Sequence, residues 1–200
     1  MKKKAKIHVH LFVYAGDAEL VAENLLCVSH AVPEAHLVVV DDAEHPCPAG
    51  VRVYAEGLGA EWRVSSWDRG GNLRGRACIE GMLDEMLRSM CDEGDTLVKI
   101  DADTVMMSGD DLLRFADRGE LVFWGSGSVE QRIYGCLYAV KGYAARRLRE
   151  YVRGLDLLPD APEDMVIGSS VFDLYPEEKR HVICPPFGPD DPDSGWTTYY

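Results

Sequence analysis

Two aspartates, one residue apart, follow an apolar strand-like segment in the middle of the chain. The segment 96–100 reads TLVKI, and Asp101 and Asp103 come directly after it. Carboxylates beside an apolar strand are costly unless a cation holds them. Two hard oxygen ligands this close suit Mg²⁺ or Mn²⁺, which binds one or two carboxylates together with substrate phosphates. The pair predicts such a metal site; the alternative is that both aspartates cap a turn through their own backbone.

A second candidate site combines glycines with arginines at the start of a predicted long helix. Residues 69–76 read RGGNLRGR. Glycines allow close approach of the backbone, and arginines supply forked donors for phosphate. The helix N-terminus that follows favours an anion. We therefore predict that this cluster binds phosphate through its three arginines, with Arg69, Asn72 and Arg76 as candidate cofactor-binding residues, against the alternative of a glycine-rich loop whose arginines are solvated.

A third candidate is a pair of acids, Glu163 and Asp164, that opens an apolar helix. Acids at a helix start can simply cap it and complement its dipole. They can also act as a general base or bind substrate hydroxyls. Composition leaves both roles open. Further on, His181 precedes a short strand and is a candidate third metal ligand.

The elements that must position these residues alternate between strand and helix. We predict strands over 6–15, 37–40, 51–54, 96–100, 120–124, 133–140 and 181–184. We predict helices over 18–31, 72–91, 112–115, 142–153 and 163–172. This order indicates an α/β fold with a mostly parallel sheet flanked by helices.

In an open α/β sheet, ligands bind beyond the carboxyl ends of the strands. Three acidic or small-residue clusters fall at predicted strand ends: residues 15–17, which include Ala15 and Gly16, then Asp41 with Asp42, and residues 101–103. Because such ends meet at one edge of a parallel sheet, we expect the three clusters to lie together.

Length and charge bound the class of protein. Two hundred residues, 46% apolar, predict one domain over 1–200 with a sizeable core. The formal charge of −13 disfavours nucleic acid and anionic membranes, so an anionic substrate needs a local basic site or a metal. The sequence carries no prediction of oligomeric state.

The two ends of the chain differ in amino-acid composition from the middle. Residues 1–5 form a basic start that we expect to be disordered, and no apolar stretch after it has the length of a signal or membrane segment. We expect a cytoplasmic protein without stable membrane insertion. Residues 156–200 hold seven of the ten prolines and are acidic, which predicts a lid or tail.

These clusters, in this order, resemble a GT-A glycosyltransferase with a DxD motif. The matching pieces are the first strand, the Asp41-Asp42 strand end, residues 69–76, residues 98–103 and the Glu163-Asp164 pair. The resemblance covers roughly residues 6–185 and implies a Rossmann-like sheet in a single compact domain. It also implies transfer of a sugar from a UDP- or GDP-linked donor to an unknown hydroxyl acceptor, with Mn²⁺ or Mg²⁺ as cofactor.

The resemblance also implies roles for individual residues. Base and ribose would lie near Ala15, Gly16 and Asp41 or Asp42, and the arginines would contact phosphate. The cation would be held by Asp103, with Asp101 on metal or ribose and Lys99 beside them. Glu163 or Asp164 would supply the base.

Two alternatives remain open. The segment 101–105 also resembles the first motif of haloacid-dehalogenase-like phosphatases, with Asp101 as nucleophile and Ser126, Lys141 and the Glu163-Asp164 pair as later motifs. Against it, that motif normally lies on the first strand of the core, whereas here about a hundred residues precede it. The other alternative is an inactive domain that binds a nucleotide sugar or nothing.

Overall fold

Strands and helices alternate along the chain. The computed structural model describes residues 5–69, 72–127, 133–183 and 196–198; the N-terminal residues 1–4 lie outside this description. The strands are β1 Ile7–Val13, β2 His36–Asp41, β3 Glu61–Val64, β4 Thr96–Ile100, β5 Thr104–Met106, β6 Phe123–Gly127, β7 Ile133–Lys141, β8 Arg180–Ile183 and β9 Trp196–Thr198. The helices are α1 Ala18–Ala31, α2 Ala49–Gly57, α3 Gly75–Ser89, α4 Asp110–Asp117, α5 Gly142–Gly154 and α6 Glu163–Leu174.

Seven strands form one mixed sheet in the order β3-β2-β1-β4-β7-β6-β8. β1 pairs in parallel with β2 and β4, and the pairs β2–β3 and β6–β8 are also parallel. β7 runs antiparallel to both of its neighbours, β4 and β6. The predicted mostly parallel sheet is thereby confirmed, and the carboxyl ends of β1, β2, β4, β6 and β8 share one edge.

The sheet is buried on both faces. Along β2, Leu37 and Val39 join the core beneath α1, α2 and α4, whereas Val38 and Val40 join the core beneath α3, α5 and α6. A strand buried on both faces needs an uninterrupted apolar run, which explains the sequence of β2. None of the helices in the described residues is long and apolar enough to cross a membrane.

Residues 51–54, predicted as a strand, belong to helix α2. Their alternation of valine with polar residues reflects a helix with one buried side, on which Ala55 is fully buried while Val53 is exposed. The strand of this region is β3, which the sequence analysis missed because Glu61 and Arg63 give it a charged composition. Those two side chains pair with each other at 2.8 Å along the strand.

The expected lid or tail over 156–200 is only partly separate from the sheet. α6 packs Val166, Ile167 and Val171 into the core, and β8 extends the sheet beside β6. Pro162 and Pro176 precede helical turns, where proline's fixed φ is tolerated, so the proline content did not indicate a detached segment. Residues 184–195 lie outside the described chain, and with them the tail acids Asp190, Asp191 and Asp193.

Candidate active site

The turn that carries the two aspartates is fixed by backbone bonds on both sides. Asp101 donates its N–H to the carbonyl of Cys136 on β7 at 2.8 Å, and Thr104 donates to the Asp101 carbonyl at 3.1 Å. Asn24 of α1 adds a side-chain bond to the same Asp101 carbonyl at 2.9 Å. The turn is therefore held between the central strand and the first helix, which limits how far its carboxylates can move.

A buried lysine links the aspartate turn to the acidic pair on α6. Lys99 is 1% exposed, and its Nζ lies 2.6 Å from Asp101 Oδ1 and 3.7 Å from Glu163 Oε2. Burial disfavours the ammonium charge, but the carboxylates of Asp101 and Glu163 outweigh it and raise the pKa of Lys99. One cation thus compensates two carboxylates, one from β4 and one from α6.

Glu163 is held from its other side by Tyr138 on β7. The Tyr138 hydroxyl donates to Glu163 Oε1 at 2.5 Å, and Glu163 is 4% exposed. Burial raises the pKa of Glu163, although Lys99 and Tyr138 both oppose that rise. Both carboxylate oxygens are therefore committed to neighbours inside the protein, which makes Glu163 an anchor for the start of α6.

Close packing at this point depends on a glycine. A Cβ added at Gly135 would lie 2.9 Å from Asp164 Cβ and 3.2 Å from Glu163 Oε2. The Gly135 carbonyl also accepts a hydrogen bond from Lys99 Nζ. The absence of a side chain lets β7 approach both the lysine and the acidic pair.

Asp103 has the properties expected of a cation ligand. Its Oδ1 is shielded from solvent and meets no donor in hydrogen-bond geometry within the described part of the chain, although the Thr104 hydroxyl lies near the carboxyl group. Burial raises the pKa of Asp103, and the neighbouring charge of Asp101 adds to this. A divalent cation relieves both costs, because it supplies the missing partner and neutralises two adjacent carboxylates. Asp101 and Asp103 therefore fit Mn²⁺ or Mg²⁺.

A third carboxylate lies near this pair, at the end of β1. Asp17 ends the short 3₁₀ turn of residues 15–17, and its Oδ2 accepts the Tyr14 N–H at 3.2 Å. Burial raises the pKa of Asp17 to about 6; Arg69 opposes the rise, and Asp101 and Asp103 add to it. The clusters at the ends of β1 and β4 thus influence each other electrostatically, as predicted from the parallel sheet.

Arg69 lies at the same strand end. Its guanidinium donates to the Phe12 carbonyl at 3.2 Å, lies 3.8 Å from Asp17 Oδ2 and stacks over the Tyr14 ring at 4.6 Å. Ala15 and Gly16 form the turn beside it, and Ala15 donates to the His45 carbonyl at 2.8 Å. The arginine predicted to contact phosphate is thereby placed at the carboxyl edge of the sheet.

Asp41 and Asp42 shape the loop after β2. Both Asp41 oxygens accept the Cys47 N–H, at 3.0 and 3.2 Å. Asp42 Oδ1 accepts the N–H groups of Glu44 and His45, at 2.7 and 3.1 Å. Asp41 is thus committed to the loop, whereas Asp42 also lines a small cleft that it shares with Arg69.

One cleft gathers five of the predicted site residues. It has a volume of about 420 Å³, and its lining includes Asn72, Lys99, Asp101, Glu163 and Asp164. Asp164 is half-buried at the start of α6, with Oδ1 accepting the Met165 N–H at 2.8 Å. Residues from β4, β7 and the starts of α3 and α6 therefore meet around a single substrate-sized space.

Arg76 is not available for the predicted phosphate contact. Its guanidinium pairs with Glu80 at 3.4 Å and donates to the backbone carbonyls at the end of α5, including Arg153 at 3.1 Å. Carbonyls in the last turn of a helix lack the full set of helical partners, so Arg76 contributes hydrogen bonds to the end of α5.

His181 is not brought to the aspartate turn either. Its Nε2 lies 3.6 Å from Asp111 Oδ2 on α4. The order β4-β7-β6-β8 separates its strand from β4 by three strand spacings, about 14 Å. The residue expected as a third metal ligand thus serves a surface contact.

Asn24 and Tyr138 contact the site but were not predicted from the sequence as site residues. Asn24 lies in the apolar stripe of α1, where a lone amide on a buried face is the available signal. Tyr138 lies directly opposite Lys99 in the β4–β7 register. No pattern in the sequence reveals that pairing, because it depends on an antiparallel strand almost forty residues away.

Comparisons with known proteins support the fold. No family model matches the chain, and no curated protein matches it. Among solved structures, a mannosyltransferase from Pyrobaculum calidifontis, in complex with GDP-Man and Mn²⁺, is 18% identical with a TM-score of 0.57 over 92% of this chain. Glucosyl-3-phosphoglycerate synthase from Mycobacterium tuberculosis, with Mn²⁺ and UDP, is 15% identical with a TM-score of 0.58 over 90% of this chain.

The galactosyltransferase LgtC, in complex with donor and acceptor sugar analogues, is 14% identical with a TM-score of 0.54 over 88% of this chain. The chain spans 56% of the length of the mannosyltransferase, 70% of the synthase and 72% of LgtC. These likenesses confirm the predicted fold: the chain has the GT-A fold of these glycosyltransferases.

Proposed function

We propose that this chain is a nucleotide-sugar-dependent glycosyltransferase domain that uses a divalent cation. The observation that carries the proposal is the turn after β4, where Asp103 Oδ1 is buried without a donor in hydrogen-bond geometry in the described chain and Asp101 opens into the cleft. The similar structures named above, two of them with Mn²⁺ and a guanine or uracil nucleotide, support the same chemistry.

The donor would lie along the carboxyl edge of the sheet. Base and ribose are assigned to the ends of β1 and β2, near Ala15, Gly16 and Asp42. The diphosphate is assigned to Asp103 and Asp101 through the cation, with Arg69 as the cationic side chain beside it. A bound Mn²⁺ or Mg²⁺ would neutralise charge on the departing nucleoside diphosphate.

The two acids of α6 have different roles in this proposal. Glu163 has both oxygens engaged, by Tyr138 and Lys99, and serves as the anchor. Asp164 is half-buried, lines the cleft and is the base. It takes the proton of the acceptor hydroxyl while that oxygen bonds to the sugar carbon, and the electron pair of the broken bond leaves with the diphosphate.

The phosphatase alternative is not favoured by the geometry. Lys141, which would supply its later lysine, pairs with Thr96 at the start of β4 and donates to the Ala116 carbonyl at 2.7 Å. Asp101 follows the opposite end of that strand, roughly 16 Å away at the usual rise per residue. One side chain cannot serve an acyl-phosphate at that distance.

The test is release of nucleoside diphosphate from UDP-glucose, UDP-galactose and GDP-mannose, each with and without MnCl₂. We expect slow, Mn²⁺-dependent hydrolysis of at least one donor, with water replacing the acceptor. Release that is equal with and without the metal would contradict the proposal, as would release of inorganic phosphate from phosphate monoesters. Tight nucleotide binding without any turnover would favour the inactive domain.

A further inference from the structure

Arg74 differs from every other arginine of the described chain. The described residues hold thirteen arginines, of which ten lie within 4.0 Å of a carboxylate oxygen. Arg147 and Arg180 instead stack over aromatic rings. Arg74 is exposed, and its guanidinium has neither kind of partner within the described part of the chain. In a chain of net charge −13, an unpaired cation at a cleft requires an explanation.

The backbone around Arg74 is unusually constrained. Arg74 itself is extended, but Leu73 before it has φ 50° and Gly75 after it has φ 80°. A left-handed leucine costs on the order of 1 kcal/mol, which the surrounding structure must offset. At Gly75 a Cβ would lie 2.6 Å from the Pro159 carbonyl oxygen, so this position admits no side chain.

A short antiparallel ladder fixes this segment to the start of α6. Arg74 forms an isolated bridge with Pro162, Gly75 donates to the Ala161 carbonyl at 2.9 Å, and Glu163 donates to the Leu73 carbonyl at 3.0 Å. Arg74 is thereby held beside the acidic pair, on the same cleft as Asp101 and Asp164. Arg69 lies instead at the end of β1, beside Asp17.

The two arginine side chains have different surroundings, although the Arg74 N–H donates to the Arg69 carbonyl at 3.1 Å. Arg69 is next to the strand end assigned to the donor, and Arg74 lines the same cleft as Asp164, the base assigned to the acceptor hydroxyl. We propose that Arg74 binds an anionic group, a phosphate or a carboxylate, on the acceptor. A planar guanidinium offers two parallel donors that match either group. The inference rests on the proposed transferase function.

This assignment also explains how an anionic acceptor could approach an acidic protein. The cleft already contains the carboxylates of Asp101, Glu163 and Asp164, and Lys99 is occupied with two of them. A neutral sugar would need no additional cation there. An anionic acceptor would need one, because its charge would otherwise lie among these carboxylates without a partner.

The test measures binding of small probes to the full chain in the presence of Mn²⁺ and saturating UDP or GDP. The probes are glycerol 3-phosphate, glycerate and glycerol, which share a carbon skeleton and differ in the anionic group. The variants are Arg74→Gln, Arg74→Lys and, as a matched control, Arg146→Gln on the exposed face of α5. Nucleotide affinity is recorded for each variant before the probe is added.

We expect at least one anionic probe to bind the wild type and glycerol not to bind. Arg74→Gln should weaken that probe by about tenfold or more, as for loss of a charge-assisted pair, with nucleotide affinity changed less than about twofold. Arg74→Lys should retain part of the affinity, and Arg146→Gln should match the wild type.

Two results would overturn the inference while leaving the transferase proposal intact: Arg74→Gln weakening the nucleotide instead of the probe, or a wild type that binds nucleotide but neither anionic probe. Failure of the wild type to bind UDP or GDP with Mn²⁺ would instead remove the transferase proposal, and with it this inference.

Discussion

Replacing Lys99 by methionine tests the charge cluster on which the site is built. The substitution keeps the length of the side chain and removes the ammonium group that lies 2.6 Å from Asp101 and 3.7 Å from Glu163. Asp101 is partly exposed and can be solvated, whereas Glu163 is 4% exposed and cannot. Removing one partner of a buried pair typically costs about 3–5 kcal/mol. We expect a loss of that size in the free energy of unfolding at neutral pH.

The loss should depend on pH in a defined direction. Burial already raises the pKa of Glu163, and loss of Lys99 raises it further. A carboxyl whose folded-state pKa is raised contributes stability that is present below its ordinary value and is lost as pH rises. The deficit of Lys99→Met should therefore be smallest at about pH 5 and grow towards pH 7. The double variant with Glu163→Gln should recover about 1–3 kcal/mol relative to additivity.

Urea denaturation at the two pH values measures these differences. Lys141→Met is the matched control, because Lys141 is also buried but bonds Thr96 Oγ1 and the Ala116 carbonyl instead of a carboxylate. A Lys99→Met deficit below about 1 kcal/mol, or one that shrinks as pH rises, would refute the reasoning.

Three further predictions concern the base, a close packing contact and a buried histidine. Asp164→Asn should lower turnover by about 100-fold or more with nucleotide affinity kept, as for a general base. The control Asp160→Asn should match the wild type in turnover and in nucleotide affinity. Gly135→Ala should destabilise the protein by about 1–3 kcal/mol in urea denaturation, while Gly50→Ala, whose added Cβ has no neighbour within 4 Å, should not. Burial lowers the pKa of His10 to about 3, so the wild type should lose up to about 1.4 kcal/mol per pH unit from this group as pH falls below its ordinary value of 6.5; a His10→Gln variant that keeps this slope would contradict the assignment.

The parallel part of the fold was predictable because its signals are local. The apolar run of residues 37–40 indicated a central parallel strand, and each acidic cluster followed an apolar segment. The strand ends then had to converge, because parallel strands end at one edge of the sheet. The effect of Asp101 and Asp103 on the pKa of Asp17 follows from that convergence.

Long-range pairings were not predictable in the same way. Lys99 meets Glu163 and Tyr138 only because β7 returns antiparallel to β4 and α6 packs across it. The sequence predicted Arg76 as a phosphate ligand. The end of α5 lies against it, and its guanidinium donates to backbone carbonyls there. The role of each of these side chains depends on which distant element packs against it.

Strand β3 was not predicted from the sequence for a different reason. Its charged composition gives no apolar alternation. Arg63 does not face solvent, because its charge is paired with Glu61 and Glu85. Only the pairing of Val38–Asp41 with this segment defines it as a strand.

The central claim is that Asp101 and Asp103 bind a nucleotide diphosphate through a divalent cation. Titration calorimetry of UDP and GDP, with and without MnCl₂, on the wild type, Asp103→Ala and the exposed control Asp110→Asn tests it most directly. The account predicts that one nucleotide binds the wild type and Asp110→Asn only with Mn²⁺, and that Asp103→Ala loses the metal-dependent part. Binding that is equally tight without metal, or unchanged in Asp103→Ala, would contradict it.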